Sequence, residues 1–448
     1  METDSGTRKK NKPGFVHSIK VPTQYKRAAL IFKNAIEKKK SLKSLIYEEK
    51  HAKIDKLFPL FQKYNDNMKA IENAITETKI LEDNKSFNPY LCRVLITDLF
   101  FLTQKLNGES RPVKTVLEYQ EKLSKYLNEN KFKRENKPSF GKPRYIRVNT
   151  NLFSIDEAIQ YFEREGFYKC NYDENDYDDY LRVIKELKEE EYAIDIHIPE
   201  LFIFSSLTRK YWATNEYVEK KKFALQDKAT CLVAKLLNPP ENSIILDMCA
   251  APGMKTIHLS NLIRNSGTIF AVERNIDRYN VLVNMVKSSD AKCVKTINDD
   301  ALQLNLEDFT NVEYIVVDPP CSGSGMQNRL TLGTETKDED RLWKLAGLQI
   351  KLLQSALSNF PNVKKVIYST CSLYPEENEV VVQTCLQRCQ NFKLLNIKKD
   401  LRKMWKNTGD TKYKGIGKHC LYSLPEIDKT DGIFIALFER KKEESDYN

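Results

Sequence analysis

The second half of the sequence alternates short apolar runs with helix-length segments, and this pattern constrains the fold more than any other feature. Candidate strands cover residues 243–247, 268–273, 293–298, 314–318, 365–369 and 432–438. Helix-length segments between them include residues 255–264, 278–287 and 342–360. Apolar strands separated by helices form a largely parallel sheet covered on both faces. The sequence therefore predicts a Rossmann-like α/β domain with a mixed, mostly parallel sheet over residues 226–440.

The residues before this domain have a different character. Apolar residues at helical spacing, such as Ala28, Ile31 and Phe32, predict a helical N-terminal region over residues 1–130. Lysines such as those at 38–40 lie between the apolar positions. They indicate either a solvated helix face or a surface that contacts phosphates, and the pattern leaves both interpretations open.

A small α/β unit is predicted between the two regions. Residues 131–142 are rich in charge and contain proline and glycine, which predicts a basic linker. Alternating apolar residues at 145–148 and 194–198 predict strands, and residues 155–166 predict a helix that ends at a glycine. We assign residues 143–225 to this unit and residues 441–448 to a solvated tail.

Composition excludes several classes of protein. Hydrophobic residues make up 41% of the 448, which is enough for a packed core and rules out wholesale disorder. Ten cysteines are too few for a disulfide scaffold, and five scattered histidines without a Cys-x-x-Cys pair predict no metal site. The net charge of +10 suits a polyanionic partner. The polar N-terminus and the shortness of the apolar runs predict a soluble protein of a reducing compartment, with no membrane contact.

Ligands of such sheets bind beyond the carboxyl ends of the strands. The first strand of the α/β domain ends in Asp247-Met-Cys-Ala-Ala-Pro-Gly253, where small residues allow close approach of a ligand. Taken alone, this loop indicates either a nucleotide-like ligand or a tight turn without one. Glu273 ends the next strand, where a carboxylate accepts hydrogen bonds from a ribose diol, and Asp300 follows the third strand. Together they favour an adenosine-bearing cofactor.

Two cysteines follow strands that should be neighbours. Cys321 lies in Asp318-Pro-Pro-Cys321 after the fourth strand, and Cys371 lies in Thr370-Cys-Ser372 after the fifth. A lone cysteine is usually a small buried hydrophobe. Two cysteines at one predicted crevice instead indicate thiol chemistry.

These motifs resemble the signature motifs of the RsmB/Nop/Sun family of RNA 5-methylcytosine methyltransferases. The similarity extends from residue 143 to residue 440 and includes Pro143-Arg-Tyr-Ile-Arg-Val-Asn-Thr150 and Asp431-Gly-Ile-Phe-Ile-Ala436. Further segments, such as His419-Cys420, resemble the eukaryotic subfamily that methylates large-subunit ribosomal RNA. The sequence departs from that branch by a proline at 320 in place of a serine and by Glu273 in place of an aspartate; the latter keeps the carboxylate.

The resemblance implies a cofactor and a set of site residues. The cofactor would be S-adenosyl-L-methionine, and the small α/β unit would recognise RNA. Cys371 would attack the base, Cys321 would release the product, and Asp318 and Lys255 would complete the catalytic group. The implied cofactor contacts are Cys249, Ala250, Ala251, Pro252, Gly253, Met254, Lys255, Glu273, Arg278, Asp300 and Asp318.

Chemistry explains why such an enzyme needs these groups. Carbon 5 of cytosine is a poor nucleophile until a thiolate adds at carbon 6. A helix that starts near Pro375 would favour the thiolate through its positive end. The base must also leave its stack, and Arg144, Arg147 and the basic linker are predicted to contact phosphates.

We therefore expect a methyltransferase that forms 5-methylcytosine in large-subunit ribosomal RNA through a covalent cysteine–cytosine adduct. We expect it to act as a monomer in the nucleolus and to bind no metal. Two alternatives remain open at this point: the same chemistry on another RNA such as transfer RNA, or a non-catalytic ribosome-assembly factor that uses the fold for binding.

Overall fold

The computed structural model of the protein describes residues 20–37, 42–47, 49, 54–129, 141–326, 338–401 and 404–442. These residues belong to two compact units, one within residues 1–137 and one formed by the described residues from 141 onward. The lysines at 38–40 and most of the predicted linker and tail lie outside the described residues. Within the described ranges, no helix combines the length and apolarity that a membrane span requires.

The first unit is helical, as the apolar spacing predicts. Its helices are α1 (Thr23–Glu37), α2 (Leu42–Tyr47), α3 (Ile54–Thr78), α4 (Ile80–Asp83), α5 (Pro89–Thr97), α6 (Arg111–Glu118) and α7 (Gln120–Glu129). A π-helical turn, Asp98–Leu102, continues α5. Asn88 caps α5 by accepting hydrogen bonds from the first-turn amides, and Pro89 occupies its first turn, where no amide donor is needed. The predicted apolar residues Ile31 and Phe32 lie in the core of this unit.

The second unit begins with a five-stranded sheet. Its elements are β1 (Arg144–Val148), α8 (Ile155–Arg164), β2 (Tyr168–Lys169), α9 (Tyr177–Glu186), β3 (Glu191–Ile194), β4 (Leu201–Phe204), α10 (Arg209–Ala213), α11 (Glu216–Glu219) and β5 (Phe223–Ala224). The strand order is β2-β3-β4-β1-β5. The predicted helix at 155–166 is confirmed as α8, which Ser154 and Glu157 start with a capping box.

The strand predicted at residues 194–198 is wrong in its position. The strand β3 ends at Ile194, and the chain turns at Asp195. The carboxylate of Asp195 accepts hydrogen bonds from the backbone amides of His197 and Ile198, at 2.9 and 3.1 Å. A side chain that satisfies the next two amides competes with strand pairing, and this ends the strand.

The same unit continues into an eight-stranded sheet. Its elements are α12 (Lys228–Leu237), β6 (Ile244–Asp247), α13 (Met254–Leu262), β7 (Thr268–Val272), α14 (Ile276–Ser288), β8 (Val294–Ile297), β9 (Tyr314–Val317), α15 (Glu339–Ser358), β10 (Lys365–Thr370), α16 (Glu379–Arg388), β11 (Phe392–Leu394), β12 (Leu421–Ser423), α17 (Pro425–Asp428) and β13 (Ile433–Arg440). The strand order is β11-β13-β10-β9-β6-β7-β8, and β12 also pairs with β13.

The predicted fold class is confirmed by this sheet. Strands β6 to β10 run parallel to one another, and β13 runs antiparallel to its partners. The central strand β9 is buried along its whole length, because helices cover both faces. The strand order reverses between β6 and β9: the chain proceeds from β6 through β7 to β8 on one side, and from β9 to β10 on the other.

Candidate active site

The reversal of strand order places a crevice at the carboxyl ends of β6 and β9. Loops that leave neighbouring parallel strands in opposite directions open a gap between them, and ligands of such sheets bind there. The loops after β6, β7 and β8 form one side, which we call the cofactor side. The loops after β9 and β10 form the other, which we call the thiol side.

The loop after β6 has a backbone that only its small residues allow. Gly253 has φ +108°, and a Cβ atom added there would lie 3.0 Å from the Leu282 side chain. Helix α13 begins at the next residue. Thr256, in its first turn, donates a hydrogen bond of 2.7 Å to Asp247 at the end of β6. Burial raises the pKa of Asp247 to about 6, since a charged carboxylate is disfavoured away from water.

Glu273 and Arg278 lie together on the cofactor side. The Glu273 carboxylate accepts a hydrogen bond of 2.8 Å from the Asn275 amide and lies 3.1 Å from the Arg278 guanidinium. Arg278 also donates a hydrogen bond of 2.6 Å to the carbonyl of Ala251 in the loop after β6. Asp300 is placed further along this side, 3.3 Å from Arg274. The residues predicted to hold the cofactor thus line one continuous edge of the crevice.

One ion pair joins the two sides. Lys255 in the first turn of α13 contacts Asp318 at the end of β9 at 2.5 Å. Ser369 at the end of β10 donates a hydrogen bond of 2.7 Å to the other oxygen of Asp318. The negative charge of Asp318 is the main factor that raises the pKa of Lys255 against its burial. Lys255 is therefore a fixed cation at the centre of the crevice.

The two crevice cysteines interact with each other. Interaction with the Cys321 thiol and the charge of Lys255 lower the pKa of Cys371, against burial and the charge of Asp318. Interaction with Cys371 and burial raise the pKa of Cys321 well above its usual value. Both cysteines are only partly buried. Of the two thiols, Cys371 is therefore the more readily ionised.

The loops that carry these thiols are bound to each other. The Ser322 hydroxyl donates a hydrogen bond of 3.0 Å to the hydroxyl of Ser372, and the amide of Gly325 donates one of 2.9 Å to the carbonyl of Cys371. The helix predicted to start near Pro375 begins instead at Glu379, after a short 3-10 turn, so it does not explain the lowered pKa of Cys371.

Comparison with known proteins places this site in a family. A protein-family model described as "16S rRNA methyltransferase RsmB/F" matches residues 234–439. The ferredoxin-like and N-terminal domains of "NOL1/NOP2/Sun domain family member 5" match residues 142–229 and 55–139. A 28S rRNA (cytosine-C(5))-methyltransferase of Drosophila melanogaster is 49% identical over 95% of this chain and 98% of that protein. The chain belongs to the RsmB/Nop/Sun family.

Other proteins are similar over two thirds or more of the chain. A Mus musculus protein with the same name is 32% identical over 93% of this chain and 90% of its own. A methyltransferase homolog from Pyrococcus horikoshii is 26% identical, with a TM-score of 0.51, over 67% of this chain and 87% of that one. NSun6 from the same organism, whose structure is described with SFG, shares the fold at 19% identity and a TM-score of 0.52, over 67% and 91% of the two chains.

The residues of the cofactor side fit the methyl donor expected of this family. Gly253 allows the loop after β6 to pack closely against Leu282 and Met285 of α14, which fixes the course of the loop at the edge of the crevice. Glu273 keeps lone pairs on both carboxylate oxygens beyond its two contacts, as a ribose diol would require. No group of three or more potential metal ligands is arranged around an ion position among the residues that the structure describes.

One predicted RNA contact is wrong. Arg147 is fully buried, and its guanidinium donates hydrogen bonds to Gln226, to Asn261 and to the carbonyl of Val148. It joins the five-stranded sheet to α13 and cannot reach a phosphate. Because side chains alternate along β1, residues 144 and 147 lie on opposite faces of the sheet. The sequence does not say which of these faces is covered by other elements. Arg144 is only partly buried.

Sequence reasoning also missed the side chains that hold the thiol loops. Ser369, Ser372, Gln349 and Glu377 all contact the loops after β9 and β10. Ser369 and Ser372 flank the Thr370-Cys371 pair, so their place in the motif was the available signal. Gln349 lies in the middle of α15, where nothing in the sequence distinguishes it from a solvated residue.

Proposed function

We propose that this protein is an S-adenosyl-L-methionine-dependent methyltransferase that forms 5-methylcytosine in large-subunit ribosomal RNA. The observation that carries the proposal is the placement of two thiols, Cys321 and Cys371, on loops that are hydrogen-bonded to each other beside the Lys255–Asp318 ion pair. A binding protein has no need of such a pair.

Cys371 is the nucleophile of the proposed reaction. Its thiolate adds to carbon 6 of cytosine, and the electron pair of the C5=C6 bond becomes available at carbon 5. Interaction with the Cys321 thiol and the Lys255 charge favour the thiolate before the attack. When bound on the cofactor side, S-adenosyl-L-methionine supplies the methyl group that carbon 5 then takes.

Asp318 and Lys255 stabilise the base during the attack. Asp318 is oriented by Lys255 and Ser369, one on each carboxylate oxygen. A carboxylate fixed in this way can accept a hydrogen bond from the cytosine amino group, and the neighbouring ammonium offsets the charge that develops on the ring.

Release depends on Cys321. Once Cys371 has bonded to carbon 6, its sulfur no longer carries the charge that raises the pKa of Cys321, so the Cys321 thiol can lose its proton to solvent. Its thiolate then accepts the proton of carbon 5. The electrons of that C–H bond form the C5=C6 double bond, and the C6–Sγ bond breaks with its electron pair returning to Cys371. The Cys321 thiolate is the general base of this step, and it regains its proton in the exchange.

The cofactor would be held by the loop after β6 and by carboxylates of the next two strands. Residues 249–255 would surround its amino acid portion, Glu273 would accept hydrogen bonds from the ribose hydroxyls, and Asp300 would lie towards the adenine. Arg278 would act by holding Glu273 and the carbonyl of Ala251 in place.

Relatives support ribosomal RNA as the substrate. The Drosophila and mouse relatives are named 28S rRNA methyltransferases, and an Arabidopsis thaliana relative with 36% identity over 67% of this chain is named a 25S rRNA methyltransferase. We extend this substrate to the present chain. It follows that the protein acts where ribosomes are assembled, in the nucleolus, and we expect it to act as a monomer.

Transfer of labelled methyl to RNA tests the activity and the substrate. RNA from cells that lack the protein is incubated with labelled S-adenosyl-L-methionine and either the wild type or Cys371→Ala, and bisulfite sequencing locates the product. We expect one labelled cytosine in large-subunit ribosomal RNA with the wild type and none with the variant. Label on transfer RNA would identify transfer RNA as the substrate instead. No label on either free RNA or pre-ribosomal particles would favour a non-catalytic assembly factor.

A second experiment tests the roles of the thiols. Cys321→Ala should transfer one methyl group and remain bonded to RNA, which a denaturing gel detects as a shifted protein band. Cys371→Ala should give no shifted band. The reverse result would exchange the two roles.

A further inference from the structure

We propose that Glu377, acting with Gln349, is a positioning residue for the release step because it holds Cys321 in place against Cys371. This inference rests on the proposed function, since it assigns a role within the same reaction. It concerns two side chains that touch neither cofactor nor base and that lie beneath the thiol side of the crevice.

Glu377 is buried under the loop that carries Cys321. Its side chain is fully inaccessible to solvent. One carboxylate oxygen accepts two hydrogen bonds, one of 2.8 Å from the backbone amide of Ser322 and one of 2.9 Å from the side-chain amide of Gln349. A buried carboxylate is costly unless it is bonded in this way, so its position depends on the loop above it.

Gln349 completes the grip on the same cysteine. Its side-chain amide also donates a hydrogen bond of 3.0 Å to the carbonyl of Pro320. The Pro320 carbonyl belongs to the peptide group before Cys321, and the Ser322 amide belongs to the peptide group after it. The pair Glu377 and Gln349 therefore fixes both peptide groups that flank Cys321, and this limits where its sulfur can point.

Glu377 also belongs to the segment that carries the other thiol, Cys371. Glu377 lies six residues after Cys371, and its backbone carbonyl accepts a hydrogen bond of 2.5 Å from Tyr368 on β10. Its neighbour Asn378 donates a hydrogen bond of 2.9 Å to the carbonyl of Ser372. The glutamate thus ties the Cys321 loop to the strand and turn that place Cys371.

Release is the step that needs this tie. During the attack, Cys371 acts on carbon 6, and Cys321 forms no bond to the base. During release, the Cys321 sulfur must reach the proton of carbon 5 while Cys371 is still bonded to carbon 6. A displaced Cys321 would therefore slow elimination more than it slows methyl transfer.

Rapid-quench kinetics on the full chain with RNA substrate separates the two steps. With Glu377→Ala, we expect turnover to fall about 10–100-fold, the loss that a misplaced reacting group causes, while the first methyl transfer changes by less than about 3-fold. The covalent protein–RNA adduct should accumulate. Glu377→Gln keeps an oxygen acceptor for Ser322 and Gln349, and it should restore most of the release rate.

Two controls separate positioning from a structural role. Gln349→Met removes the grip on the Pro320 carbonyl with little change in volume, so it should also accumulate adduct if Glu377→Ala fails to fold. Glu376→Gln removes the adjacent carboxylate and should release product at the wild-type rate. Equal losses in transfer and release in the Glu377 and Gln349 variants would overturn the inference.

The Cys321→Ala background gives the sharpest test. If Glu377 acts through Cys321, adding Glu377→Ala there should change neither adduct yield nor first-turnover rate, because the group that it positions is gone. A further loss would assign Glu377 another role. Should Cys321→Ala itself form no adduct, the proposed mechanism would fail; adduct with Cys321→Ala but not with Glu377→Ala or Gln349→Met would contradict only this inference.

Discussion

The two sides of the crevice are built by different means. On the cofactor side, backbone groups set the arrangement: Gly253 has a positive φ, the amide of Asn275 is hydrogen-bonded to Glu273, and the carbonyl of Ala251 is hydrogen-bonded to Arg278. On the thiol side, buried side chains from α15 and from the turn after β10 hold two loops together. A ligand of fixed shape can be met by a fixed backbone. Two sulfurs that are proposed to act in turn on one base need side-chain contacts that fix their positions relative to each other.

Lys255→Met breaks the Lys255–Asp318 ion pair, which joins the two sides, and it has the largest expected effect. Without the ammonium, Asp318 loses its partner, and the pKa of Cys371 rises. We expect the first methyl transfer at neutral pH to fall about 100–1,000-fold and its pH profile to shift upwards. The measurement is the single-turnover rate as a function of pH, with Lys255→Arg as the variant that keeps the charge. A lower rate with an unshifted profile would limit Lys255 to orienting Asp318.

Asp247→Asn tests whether burial raises the pKa of Asp247, at the end of β6 on the cofactor side. The folded protein holds the Asp247 proton up to a pH of about 6, whereas the unfolded chain loses it near 3.8. The contribution of the neutral carboxyl to stability is therefore complete below pH 4 and is lost as the pH rises to 6. The difference corresponds to about 3 kcal/mol. Denaturant unfolding between pH 4 and 7 should show a weaker pH dependence for Asp247→Asn.

The exposed Asp299 supplies the matched control for this measurement. Asp299→Asn removes a carboxylate from the same side of the crevice without removing a buried one. It should leave the pH dependence as in the wild type. If the free energy of unfolding depended on pH to the same extent in the wild type and in Asp247→Asn, this result would contradict the raised pKa of Asp247.

Glu273→Gln should affect the cofactor side alone, with the smallest effect of the three. Loss of a charged acceptor should weaken binding of S-adenosylhomocysteine about 10-fold in calorimetry. At saturating cofactor, the first methyl transfer should stay within about 3-fold of the wild type. Glu307→Gln, at an exposed position, is the control. A large loss of transfer at saturation would mean that the two sides are less separate than their construction indicates.

Much of this arrangement could be predicted because strand ends are visible in the sequence. Apolar runs locate β6, β7, β9 and β10, and parallel strands place the residues that follow them at one edge. Asp247, Glu273, Asp318, Cys321 and Cys371 all follow from this rule, and the structure brings them to one crevice. The roles of the two thiols came from the family resemblance, and they stay predictions.

The rest could not be predicted because it depends on which surfaces meet. Arg147 was expected on the surface since arginine usually lies there, but the five-stranded sheet packs its guanidinium against α13. Asp195 ends a strand through local hydrogen bonds that compete with strand pairing. Gln349 and Glu377 lie 28 residues apart in the sequence and meet only in the folded protein.

The position of β13 has a consequence for synthesis of the chain. It pairs with β10, the strand that leads to Cys371, and the residue before it, Gly432, donates a hydrogen bond to Gly325 in the Cys321 loop. A nascent chain that has not yet emerged beyond residue 432 therefore has β10 as an unpaired edge, and the Cys321 loop lacks its contact with Gly432. Such an edge pairs readily with other strands. The edge of β10 is therefore covered only after β13 has emerged from the ribosome.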